Sequence, residues 1–140
     1  MNRAFTLVEI LIVVVILGIL AAIVVPQFTN ASEDAQVGNV ETQLSTIRSQ
    51  IELYRVRNNG TLPPALAAGG AQAAAWADLV GSDYMRAAPI NPRVSNGDVA
   101  LSAASPPVGA AGDAAGWIFN ATTGEITPGR FDETNRVWLD

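Results

Sequence analysis

The chain has 140 residues, 49% of them hydrophobic, with eight arginines, thirteen acids and a net charge of -5; lysine, histidine and cysteine are absent. That inventory excludes Ser-His and Cys-His nucleophile pairs, thiolate or imidazole zinc sites, the Walker A phosphate loop and Schiff-base lysines. Only carboxylates remain for acid–base work, so no enzymatic activity is expected, and arginines scattered along an acidic chain form no basic patch for nucleic acid. No disulfide can staple a domain outside the cytosol, which must then hold by packing or assembly.

The first element runs from Phe5 to Val25, FTLVEILIVVVILGILAAIVV. As a helix rising about 1.5 Å per residue it spans the ~30 Å of a bilayer core. It is long for a secretory signal, although Ala21-Ala22 resembles a small-residue cleavage site. A buried core helix this apolar would need a larger protein around it than the Ala-, Gly- and Pro-rich residues after Gly60 supply. A membrane span accounts for it best, and Arg3 places the short N-terminal side in the cytoplasm. Glu9 is the one charge inside the segment. A carboxylate there costs roughly 2.5–3.5 kcal/mol on insertion scales and calls for a partner.

Ala4-Phe5-Thr6-Leu7-Val8-Glu9 followed by an apolar helix resembles the processing site of type IV prepilins and of the pseudopilins of type II secretion. The resemblance is close over about Phe5–Phe28 and follows only the general layout beyond. It implies a peptidase cut between Ala4 and Phe5, N-methylation of Phe5, and assembly through the pairing of the Phe5 ammonium with Glu9 of the same or a neighbouring subunit. Such a pair would neutralise both charges in a dry filament core and set axial register, as buried polar pairs do in coiled coils. Gly18 and Pro26 stand where the family commonly has Gly and Pro. The family almost always has Gly before the cut, and this chain has Ala4 after a short leader with a single basic side chain.

Pro26 removes a helical hydrogen bond, so a kink or local melt is expected near Ala22–Val25, with Gly18 and Pro26 as the kink residues. Beyond it, Val40, Leu44, Ile47, Ile51 and Tyr54 recur at spacings of four and three, while Glu41, Arg48, Glu52 and Arg55 fall mainly on other faces. This is an amphipathic helix covering a core. Asn58-Asn59-Gly60 stops it and Pro63-Pro64 prevents its continuation. The two halves together predict a helix of roughly 50 residues, or ~75 Å. Gln72–Val80 is expected to form a short helix that packs Trp76, Leu79 and Val80, and Tyr84–Pro92 to be extended or turning. Asn96–Asp113 reads as a loop. Trp117–Phe119 and Glu125–Thr127, joined by a loop ending in Gly124, read as a β-hairpin, with Arg136–Leu139 as a further strand.

The expected fold class is therefore α+β, a long N-terminal helix packed on a small antiparallel sheet, similar to pilins and pseudopilins. The expected organisation is a leader at 1–4, a membrane or filament-core helix at 5–25, its amphipathic continuation at 26–59 and a small extracytoplasmic domain at 60–140. Major pseudopilins often hold calcium in a C-terminal loop, which makes Asp113, Asp132, Glu133 and Asp140 oxygen-ligand candidates, though their spacing is not diagnostic; no other cofactor is expected. The partners that the resemblance implies are identical subunits, a prepilin peptidase, an inner-membrane assembly platform and membrane lipid. The subunit would sit in the inner membrane before assembly and in a periplasmic or extracellular filament after it. A single-pass anchor carrying a small binding domain is the competing reading. Glu9 separates the two, since a plain anchor has no use for it.

Overall fold

The computed structural model describes residues 5–139, and their side chains except those of 26–30. Ala4 and Asp140 lie outside the described residues. The chain divides into two compact units, Met1–Ala35 and Gln36–Asp140. Helix α1 (Leu7–Arg57) is shared between them. Both halves of the expected helix are thus helical, and helical backbone runs through Ala22–Val25 and Pro26, so the local melt expected there is absent.

In the first unit no residue of Leu7–Val25 is buried. Val24, the least exposed of the large apolar side chains from Phe5 to Val25, is still 41% exposed. This is the one helix among the described residues long and apolar enough to cross a membrane.

The second unit closes on the predicted stripe. Val40, Leu44, Ile47 and Ile51 are buried, with Tyr54 packed against their edge. α1 ends where Asn59 and Gly60 turn to positive φ and the Gly60 N–H bonds the Arg55 carbonyl at 2.8 Å. Two turns of helix, α2 (Pro64–Ala68) and α4 (Ala77–Gly81), flank α3 (Gln72–Ala75). The single helix expected over Gln72–Val80 is in fact two. Trp76 leaves helical geometry (φ -97°, ψ 6°), and this seats its buried indole edge-on to Trp117 with ring centres 6.3 Å apart. Trp76 and Leu79 are buried as expected, whereas Val80 is only partly covered.

The expected hairpin is present as β2 (Trp117–Phe119) and β3 (Ile126–Pro128), antiparallel with Phe119 opposite Ile126. The sheet they belong to is mixed rather than purely antiparallel. Residues Val99–Leu101, inside the expected loop, form β1, which pairs with β2 in parallel, Val99 opposite Trp117. A parallel pairing needs a crossover, and residues 102–116 supply it. The last predicted strand is β5 (Val137–Trp138), paired antiparallel with β4 (Phe131–Asp132) in a second sheet. Loops are pinned by Asn91, fully buried, whose Nδ2 donates to the carbonyls of Gly116 (2.9 Å) and Gly129 (3.0 Å).

Candidate functional site

The residues singled out at the N-terminus meet around the start of α1. Thr6 stands just before the helix, and its hydroxyl accepts the Glu9 N–H at 3.2 Å. Glu9 reaches back: its Oε2 accepts both the Thr6 N–H and the Thr6 hydroxyl, each at 2.9 Å. This reciprocal pattern is a capping box, which satisfies two amides that the first turn of a helix leaves without intrahelical partners. A carboxylate at this position also faces the positive end of the helix dipole.

Glu9 therefore has a partner in its own chain, which corrects the premise that a plain anchor would have no use for it. The signal was legible as Ser/Thr-x-x-Glu in Thr6-Leu7-Val8-Glu9. Phe5, 80% exposed, borders a shallow apolar depression with Leu7, Ile10, Leu11 and Val14. The carboxylate thus sits, through its bonds to Thr6, at the edge of a largely apolar, uncovered surface. Ala4, the expected residue before the cut, lies outside the described residues. Gly18 and Pro26 both carry helical backbone.

The calcium candidates among the described residues, Asp113, Asp132 and Glu133, do not gather into one site. Asp132 closes a turn of its own: Oδ1 accepts the Thr134 and Asn135 N–H groups (2.8 and 3.0 Å) and Oδ2 accepts Asn135 Nδ2 (2.8 Å). These bonds, those from Asn135 foremost, hold its carboxyl below the ordinary aspartate range. Asp113 Oδ2 accepts the Ala110 N–H. Glu133 is bound through both oxygens to Arg48 Nη2 (2.9 and 3.0 Å) and by the Thr127 hydroxyl. Among the described residues no three acids gather into a group that would hold a metal ion. The described donors do not fit a calcium site, because the carboxylate oxygens of Asp132 and Glu133 and Oδ2 of Asp113 face hydrogen-bond donors rather than other oxygens.

Of the four charges expected to fall mainly on other faces, Glu52 and Arg55 pair with each other along the helix at 3.7 Å, and Arg48 and Glu41 reach distant partners. Arg48 bonds Glu133 and the Ile126 carbonyl (2.8 Å), and Glu41 takes a two-pronged contact from Arg136 Nε and Nη2, both at 2.6 Å. Their partners lie 78 to 95 residues away, so no local pattern announces them.

A family model described as the prokaryotic N-terminal methylation motif matches residues 1–25. Over 57 residues the chain is 44% identical to type II secretion system core protein G of Pseudomonas aeruginosa, a match covering 41% of this chain and 40% of that protein. Over 58 residues it is 40% identical to the type IV narrow pilus major component of Thermus thermophilus, covering 41% and 50%. Over 52 residues it is 44% identical to the type IV major fimbrial protein of Dichelobacter nodosus, covering 37% and 33%. The chain thus spans half or less of the length of these curated relatives. No solved structure matches it. The chain carries a prepilin-type N-terminal methylation motif at residues 1–25 and is similar, in part of its length, to type II secretion core protein G and type IV pilin subunits.

Proposed function

We propose that this protein is a structural subunit of a type IV pilus-like filament or type II secretion pseudopilus, cut between Ala4 and Phe5, N-methylated at Phe5 and polymerised through its N-terminal helix. The observation that carries the reading is the coincidence, within one segment, of the methylation motif with the helical stretch Leu7–Val25, whose apolar side chains are all uncovered and whose single carboxylate, Glu9, stands at its start. An uncovered apolar surface of this size needs lipid or other subunits around it. Exchanging lipid for neighbouring helices replaces one apolar setting by another, so a membrane reservoir can feed assembly without a large hydrophobic penalty. Identical subunits, the peptidase, the inner-membrane platform and lipid are the partners this reading requires.

Because Glu9 also closes the capping box, the test must separate helix capping from subunit pairing. Glutamine at Glu9 keeps the cap, since it serves in a capping box as glutamate does, but removes the charge. Alanine removes both. Under this proposal membrane-embedded subunit persists in both variants, while filaments sheared from cells fall sharply for Glu9→Ala and less far for Glu9→Gln. Breaking a buried charge pair typically costs ~3–5 kcal/mol, here repeated at each subunit. Mass spectrometry of the native protein should find methylated Phe5 at the N-terminus. Intact Met1, a start after Ala22 or no sheared filaments from the parent chain would sink the proposal and leave the plain anchor as the better reading; undiminished filaments in Glu9→Ala would remove Glu9 from assembly, and parent-level filaments in Glu9→Gln alone would assign its role to the cap.

A further inference from the structure

We infer that the Arg48 guanidinium is a built-in cation that organises the C-terminal loops of Gln36–Asp140, so that this unit keeps its fold without calcium or any other bound metal. The inference is independent of what the chain assembles into. Arg48 projects from α1 beside the buried stripe, and Nη2 alone meets three oxygens: the Ile126 carbonyl at 2.8 Å and the two Glu133 oxygens at 2.9 and 3.0 Å. A carbonyl and a carboxylate from adjoining segments, converging on one positive group, is the arrangement by which a hard cation gathers loops. Here the charge is covalently part of the helix.

The surrounding groups agree with that assignment. The Thr127 hydroxyl donates to Glu133 and orients the carboxylate toward the arginine. Glu125, held below the ordinary glutamate range mainly by bonds from Ser105 and Thr123, also feels the positive charge of Arg48. The crossover loop around Pro106–Gly109 and the segment Asp132–Thr134 line one cleft with Arg48. At Gly109 the loop passes so close to β4 that an added Cβ would stand 2.8 Å from the Phe131 carbonyl oxygen. A single side chain thus stands where β3, the start of β4–β5 and the crossover come together. Arg suits this position because its delocalised charge is permanent and weakly hydrated.

The experiment is thermal unfolding of the full chain in detergent micelles, followed by tryptophan fluorescence, with calcium at about 1 mM, where extracellular calcium modules fill, or with a chelator. The parent midpoint should be the same in both to within about 1 °C. Arg48→Met, which keeps the stem and removes the charge, should lower it by several degrees and by no more than about 4–8 °C, because the Arg48 and Glu133 side chains are partly exposed and solvent screens their pairing. Glu133→Gln, which keeps the shape and removes the partner charge, should lower it in the same direction and serves if Arg48→Met does not fold. A parent midpoint raised by more than about 3 °C by calcium overturns the inference. So do midpoints for both variants equal to that of the parent.

Discussion

At Thr6 one hydroxyl takes part in two of the three hydrogen bonds that close the start of α1. Thr6→Val keeps the shape and removes both, so the first turn should fray by about 0.5–2 kcal/mol, the usual cost of a lost N-cap, while Thr6→Ser should retain protection. Hydrogen exchange of the amides of Val8 to Leu11 in detergent reads this directly, and equal protection in Thr6→Val would show the box to be without weight. Asn91 is the corresponding residue in the second unit. It is fully buried, and its amide supplies donors to the carbonyls of Gly116 and Gly129, while its Oδ1 accepts the Arg93 N–H. Asn91→Ala leaves the buried Gly129 carbonyl without its donor, while the Gly116 carbonyl keeps the Gly129 N–H, and should cost roughly 1–3 kcal/mol in denaturant unfolding. Asn91→Asp, which has no donor to offer and sets a carboxylate against two carbonyls, should cost at least as much. A loss below about 0.5 kcal/mol, within the range of ordinary surface substitutions, would mean the loops hold without it.

Among the elements, β4 and β5 depend on α1 for more than their own ladder. Arg136, just before β5, grips Glu41 on the helix, and its hydrogen bonds hold the Glu41 carboxyl below the ordinary glutamate range. The Arg136 guanidinium is pushed up by the same contact, so the two shifts agree in sign. Asp132 and Glu125 are depressed as well, Asp132 by hydrogen bonds within its own turn and Glu125 chiefly by those from Ser105 and Thr123. A carboxyl whose folded pKa is depressed binds its proton less readily in the native state than in the unfolded one. It therefore contributes stability above the unfolded carboxylate range, about 4, and loses it as the pH falls through the folded pKa. Thermal midpoints should be level near neutrality and decline below about pH 4. Glu41→Gln should have a lower neutral midpoint and a shallower acid decline, and an acid limb identical to the parent's would remove Glu41 from the account. The helix break at Trp76 belongs to this scale also. Ala-rich Gln72–Ala75 would continue as helix on propensity alone, but the indole N–H bonds the Gly97 carbonyl at 2.6 Å, and Gln72 exchanges bonds with Asp98 and Gly97. Tertiary partners overrule the local preference.

For the whole molecule, the division at Ala35 assigns the amphipathic half of α1 to the C-terminal unit, whose core includes Val40, Leu44, Ile47 and Ile51. A chain starting at Gln36 should accordingly fold by itself, stay in solution without detergent and unfold cooperatively with buried tryptophans. A chain starting at Gly60 removes those four buried side chains, each worth about 1.5–3 kcal/mol, and should not fold. Circular dichroism and tryptophan fluorescence of the two truncations decide this, and a folded Gly60 chain would overturn it. The sequence by itself determined the membrane-length helix, the methylation motif around Phe5 and Glu9, the buried stripe, the stop at Asn58-Asn59-Gly60 and the hairpin about Gly124. Each of these is written in period, hydrophobicity or turn chemistry over a few neighbouring residues, and such signals act through local geometry. Only the tertiary structure decided the parallel pairing of β1, the break at Trp76, the anchoring by Asn91 and the roles of Arg48 and Glu41. In these cases the partner lies tens of residues away, as with Arg48 and Glu133, and hydrogen bonding between such distant groups leaves no periodic trace in the chain.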